Sequence, residues 1–203
     1  PVGRVLCGPP GKACRSRAGL ILASLVFPDT TVLCNFASIQ RLDILTEWLR
    51  DRGRWCEAVE AEAQKSANFW PDIGALLGPA SPLGEPISID DEQLLNRIEG
   101  VRRSVFGGST TEPLKHLGEA QTCILITETP EYVGSWWITD DADAYEYAQR
   151  RHITTRRTRD IMAAIVADGD LNAAAAYDLM MEMSARGRNL SLPSSAAELL
   201  RFL

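Results

Sequence analysis

Histidine is nearly missing from this 203-residue chain, with two residues, and its five cysteines (Cys7, Cys14, Cys34, Cys56 and Cys123) include no CxxC pair. Zinc sites of the usual spacing are therefore excluded, and free thiols of a reducing cytoplasm are the expectation. A membrane-length apolar run is also absent. The stretch Leu20 to Phe27 follows Arg4, Lys12, Arg15 and Arg17 and covers eight residues, against about 20 for a spanning helix. It reads as a first buried strand, evenly apolar as a parallel strand covered on both faces would be. Residues 1–19 are then a basic tail. Net positive charge is lacking as well: the formal charge is −6. Binders of phosphate backbone usually carry a basic stripe, so contacts of that kind must come from local patches or a partner, and acids gathered at a metal site account for part of the excess.

What remains is ordinary globular material, 45% hydrophobic and 24% charged, enough for one domain with a single core. Strand and helix signals alternate along it, which predicts α/β architecture with a mostly parallel sheet of four to five strands between helical layers. Helical spacing at Phe36, Ile39, Leu42, Leu45 and Leu49 predicts a helix over 36–51, stopped by Gly53. Trp55-Cys56 is a short apolar pair that leads into a helix at 58–63; a Pro- and Gly-rich excursion over 66–86 follows, and Ile87-Ser88-Ile89 reads as a brief strand. Helices follow at 90–104, at 116–126 and at 142–151. Trp136 to Thr139 and Ile153 to Thr155 are strands. The chain closes with helices at 158–168 and 172–187, capped by Asn172 and stopped by Gly187, and a tail over 191–203.

In an open parallel sheet, ligands bind beyond the carboxyl ends of the strands. Asp29 follows the first strand and Asp141 follows Trp136 to Thr139, so both are candidates for one site. Each taken singly also reads as a turn former or helix cap. Their company is what matters. Phe27-Pro28-Asp29-Thr30-Thr31-Val32-Leu33-Cys34-Asn35-Phe36-Ala37 resembles the first motif of the PIN-domain nucleases, in the branch with a Gly-Glu-Ala third motif. Glu57-Ala58-Val59-Glu60-Ala61-Glu62 is similar to the second motif, with Glu60 competing with Glu62 for the role. Leu117-Gly118-Glu119-Ala120 resembles the third and Ile138-Thr139-Asp140-Asp141 the fourth. The likeness runs over residues 20–190 and departs at Cys34, at His152 and in the long basic start.

The resemblance implies a three-layer α/β/α PIN-like fold and a metal-dependent endoribonuclease leaving 5′-phosphate and 3′-hydroxyl ends. It also implies a toxin held by a small antitoxin, or a homodimer. A catalytically silent PIN-like module and a nuclease acting on structured DNA are the alternatives. Beside the resemblance stands a physical argument: crowded carboxylates repel one another unless a cation neutralises them or some bind protons. Mg²⁺ or Mn²⁺, which favour oxygen ligands, fit phosphoester chemistry there. Asp29, Glu62, Glu119 and Asp141 are then the catalytic set. Asp29 and Asp141 are central ligands, Glu119 a further ligand, and Glu62 a ligand or an orienter of water. Asp140 is an adjoining ligand or, with Asn35, a partner of one. Thr30, Thr139 and Asn35 are candidates for holding a carboxylate or substrate. Arg156 and Arg157, within the basic run from Arg150 to Arg159, suit an RNA backbone or equally a solvated helix end. Trp136-Trp137 reads as strand interior before base stacking, and His116 as structural.

Overall fold

A computed structural model describes residues 24–202. The basic tail 1–19, residues 20–23 of the first apolar run, Cys7, Cys14 and Leu203 lie outside the described residues. Three short parallel strands form the sheet in the order β1 (Val26–Pro28), β2 (Trp136–Ile138), β3 (Thr154–Arg156). Val26 pairs with Trp136, and Trp136 in turn with Thr154. β2 is the central strand; of the two outer strands β1 is buried throughout, its free side covered by the segment at Gly53, whereas β3 alternates exposed and buried residues.

In place of four to five strands, the described residues form these three and two single-residue bridges. Gly53 pairs with Val26 on the free side of β1, and Cys56 pairs with Ile87. Both bridges are parallel and last one residue pair each, so the brief strand expected at 87–89 is a single bridge at Ile87. Gly53 belongs to the β1 edge of the sheet and does not end a helix. A Cβ there would lie 2.6 Å from Leu83 Cδ2 and 3.3 Å from the Pro82 carbonyl oxygen, so a larger residue would have to push the Leu83 side chain aside.

Among the described residues the helices are α1 (Thr30–Ser38), α2 (Leu42–Leu49), α3 (Glu57–Ser66), α4 (Glu92–Ser104), α5 (Leu117–Glu128), α6 (Ala142–Arg150), α7 (Thr158–Asp168), α8 (Ala173–Ala185) and α9 (Ala196–Leu199). The single helix expected over 36–51 is two. The chain turns at Gln40, φ +56°, and α2 ends on Arg50, φ +47°. The apolar spacing continues across the break because Phe36, Ile39, Leu42, Leu45 and Leu49 all enter the same core. The Pro-rich excursion includes a 3₁₀ segment, Pro71–Leu76, that buries Ile73 and Leu76. Local capping governs other boundaries: Asp91 accepts from Leu94 N–H and Asn172 from Ala175 N–H. Residues 191–202 fold back on α7, with Leu199 buried and Arg159 over the Phe202 ring at 4.4 Å. No helix among the described residues is long and apolar enough to cross a membrane.

Candidate active site

Because all three strands run the same way, the residues that follow them meet at one edge. Asp29 follows β1, Thr139-Asp140-Asp141 follow β2, and Arg157-Thr158 follow β3. Three helices, α1, α6 and α7, begin there. Their N-terminal amides favour negative charge.

Asp29 is the hub. It is 5% exposed, and its Oδ1 accepts from Thr30 N–H at 2.7 Å. Its Oδ2 accepts from the hydroxyls of Thr31 at 2.8 Å and Thr139 at 3.0 Å. Thr139 Oγ1 also accepts from Asp141 N–H at 3.1 Å, so one hydroxyl spans the two acidic positions. Asp141 caps α6 by accepting from Ala144 N–H at 2.8 Å. On the other side Thr30 Oγ1 donates to Glu62 Oε2 at 2.8 Å. Of the two glutamates competing in α3, Glu62 is therefore the one tied to Asp29 through a shared threonine.

Glu119 reaches this group because α5 packs tightly on α3. A Cβ at Gly118 would lie 3.1 Å from Val59 Cγ2 and 3.2 Å from Glu62 Oε1. Gln121 adds a tie by accepting from Ala58 N–H at 3.1 Å. His116 stands ahead of α5 with φ +60°, its Nδ1 3.1 Å from Glu119 Oε1. The loop before it is held by the buried Arg102, which pairs with Glu99 and donates to the carbonyls of Ser109, Glu112 and Lys115.

The charges feel one another. Burial, then the nearby Glu119 and Glu62, push Asp29 up to about 7, against the lowering influence of Thr31 and Thr139. Glu62 is raised, first by burial and then by Glu119, partly offset by Thr30. Burial also raises Asp140, although the hydroxyl and N–H of Thr158 favour its charged form.

Asp140 is not brought into this group. Its oxygens accept from Asn35 Nδ2 at 2.7 Å, from Thr158 N–H at 3.2 Å and from the Thr158 hydroxyl. Asn35 is fully buried and accepts from Arg188 Nε at 3.0 Å. Both residues thus lock α1 to the start of α7 and lie behind the exposed surface. Thr30 and Thr139 serve the carboxylates, as their hydrogen bonds show. Arg156 is 5.5 Å from the Trp136 ring centre, in a separate cleft lined also by Trp48 and Phe202, and Arg157 lies over Tyr145 at 4.2 Å. Trp137 is buried; Trp136 is partly exposed.

An ion of the Mg²⁺ or Mn²⁺ kind fits this donor set in one respect and restricts it in another. Asp29 is buried, Glu62 and Glu119 are partly buried, and both glutamates repel the charge of Asp29, a repulsion that a cation among these oxygen donors would relieve. Among the described residues, however, no three Asp, Glu, His or Cys side chains already surround a common point. Mg²⁺ keeps several waters and binds through one or two carboxylates, so the set suits a hydrated ion better than a closed cage of four protein ligands.

Sequence reading missed Thr31, Thr158 and Arg188, and also Lys65, which lines an open cleft with Thr30, Thr31, Glu62 and Arg188. Lys65 was legible, three residues beyond Glu62 on one helix. Arg188 was not, being 153 residues from its partner Asn35. No protein-family model matches the chain, and comparison with curated proteins and solved structures gives no significant match.

Proposed function

We propose that the chain is a metal-dependent endoribonuclease with a PIN-like fold, its site built on Asp29, Glu62, Glu119 and Asp141. The observation that carries this reading is geometric: Asp29, at the end of β1, is joined through Thr139 to Asp141 and through Thr30 to Glu62, with Glu119 packed alongside. Asp29, Asp141 and Glu119 would be the ligands of the ion, with Glu62 a further ligand or an orienter of water. When bound, Mg²⁺ or Mn²⁺ supplies a Lewis acid for a phosphoryl oxygen and acidifies water at neutral pH.

The chain's own groups do the rest. Thr31 and Thr139 fix the Asp29 carboxylate, so that it does not reorganise as charge develops. Carrying its proton on Nδ1, His116 donates to Glu119 and holds that carboxylate in one orientation. The helix starts of α1 and α6 offset the charge of the acids and of an incoming phosphodiester.

Cleavage of single-stranded RNA with Mn²⁺ tests the proposal. Asp29→Asn and Asp141→Asn keep side-chain shape and remove a charge, so each should lower the rate by about 10²-fold or more. Equal cleavage by all three proteins would place the activity elsewhere. A wild type that binds Mn²⁺ without cleaving RNA or structured DNA would leave the silent, partner-binding module.

A further inference from the structure

Beside the carboxylates lies an open cleft of about 380 Å³ bounded by Thr30, Thr31, Glu62, Lys65 and Arg188, within the size range of ligand sites. We infer that Lys65 and Arg188 form a phosphate subsite in this cleft, taking a backbone phosphate of the RNA strand next to the one that is cut; the inference rests on the nuclease reading.

The guanidinium of Arg188 is preorganised. Gly187, φ +82°, turns the chain after α8, and Arg188 then donates through Nε to Asn35 Oδ1 at 3.0 Å and through Nη2 to the Thr31 carbonyl at 3.4 Å. Its Nη1 has no acceptor among the described residues, which leaves part of a rigid fork for an oxyanion. Lys65 lies in the last turn of α3, is exposed, and enters no ion pair among the described residues. Its charge bears on Glu62, as that of Arg188 bears on Cys34. Two cations at the rim offset the repulsion that the acidic site would exert on a second phosphate. In the basic run, Arg156, Arg157 and Arg159 each lie over an aromatic ring and Arg150 pairs with Glu146, and none of them lines this cleft.

Fluorescence anisotropy of a labelled single-stranded oligoribonucleotide, in EDTA so that no cleavage occurs, gives affinity as a function of NaCl. Lys65→Gln and Arg188→Gln should each weaken binding about fivefold and flatten the log–log salt slope by about 0.7, the value for one single-strand phosphate contact. Lys65→Arg should restore the slope. Arg186→Gln, which removes the same charge from a residue paired with Glu182, should leave the slope unchanged. Lys65 is exposed, so loss of fold cannot account for its variant, and melting curves check Arg188→Gln. Competition by single-stranded DNA but not by free phosphate at equal phosphate concentration would assign the subsite to a phosphodiester strand; competition by free phosphate alone would overturn it. An unchanged slope in both glutamine variants would also overturn it, while cleavage by wild type would leave the nuclease reading standing. Loss of slope in a protein that never cleaves RNA would do the reverse.

Discussion

Asp29 is at once the best-held and the most strained charge in the site. Three donors favour its ionised form, yet burial and two neighbouring glutamates raise it to about 7 from 3.8. A carboxyl raised in the folded state binds more protons there than in the unfolded chain, so its contribution to stability is full below about 3.8 and is lost as pH rises through about 7. Metal-free wild type should therefore lose stability relative to Asp29→Asn between pH 4 and pH 8. The gap should widen by a few kcal/mol, on the order of 1.4 kcal/mol for each pH unit that separates the folded and unfolded titrations. Urea unfolding of both proteins across that range in EDTA measures it. A constant gap would mean that Asp29 is not crowded by Glu62 and Glu119 in solution.

At the scale of elements, the contact of α5 with α3 sets where Glu119 stands. Gly118 has no positive φ; its lack of a side chain serves close approach, with Val59 and Glu62 both near its missing Cβ. Gly118→Ala, in the first turn of α5, gains less helix propensity than the about 1 kcal/mol of a helix interior and must shift Val59 and Glu62 by a few tenths of an ångström. The two effects nearly cancel in stability, so Tm should move little. The site feels only the second. Mn²⁺ affinity, measured by calorimetry, should fall about tenfold in a protein that melts within a few degrees of wild type. Unaltered affinity would mean that α5 yields without disturbing Glu62.

For the whole molecule, with a net charge of −6, the proposed metal site carries a prediction for stability: an ion bound by the acids at one sheet edge would stabilise the fold. Only the native state assembles Asp29, Glu62, Glu119 and Asp141, so under the proposed function an ion would bind that state preferentially. Mn²⁺ at a hundred times its Kd should add about 2.7 kcal/mol, a Tm rise of about 5–10 °C for a domain of this size. Asp29→Asn should abolish most of that rise. No rise in wild type freed of carried-over metal would argue against an ion site at this edge.

The sequence by itself determined what depends on near neighbours: α7 at residues 158–168, the Asn172 cap, the strand-then-acid order at Asp29 and Asp141, and the parallel direction that follows from alternating elements. Caps and turns close within three or four residues, so their chemistry is written locally. Tertiary structure alone decided that one apolar stripe serves two helices, α1 and α2, since core burial gives the same spacing whether or not the chain turns at Gln40. It decided that Gly53, Cys56 and Ile87 pair for one residue each, because the extent of a sheet depends on partners far along the chain. It chose Glu62 over Glu60 through Thr30, turned Asp140 inward to Asn35 and Thr158, and brought Arg188 back to α1. Each of these is a hydrogen bond across tens of residues or more, set by how helices pack and invisible to any local pattern.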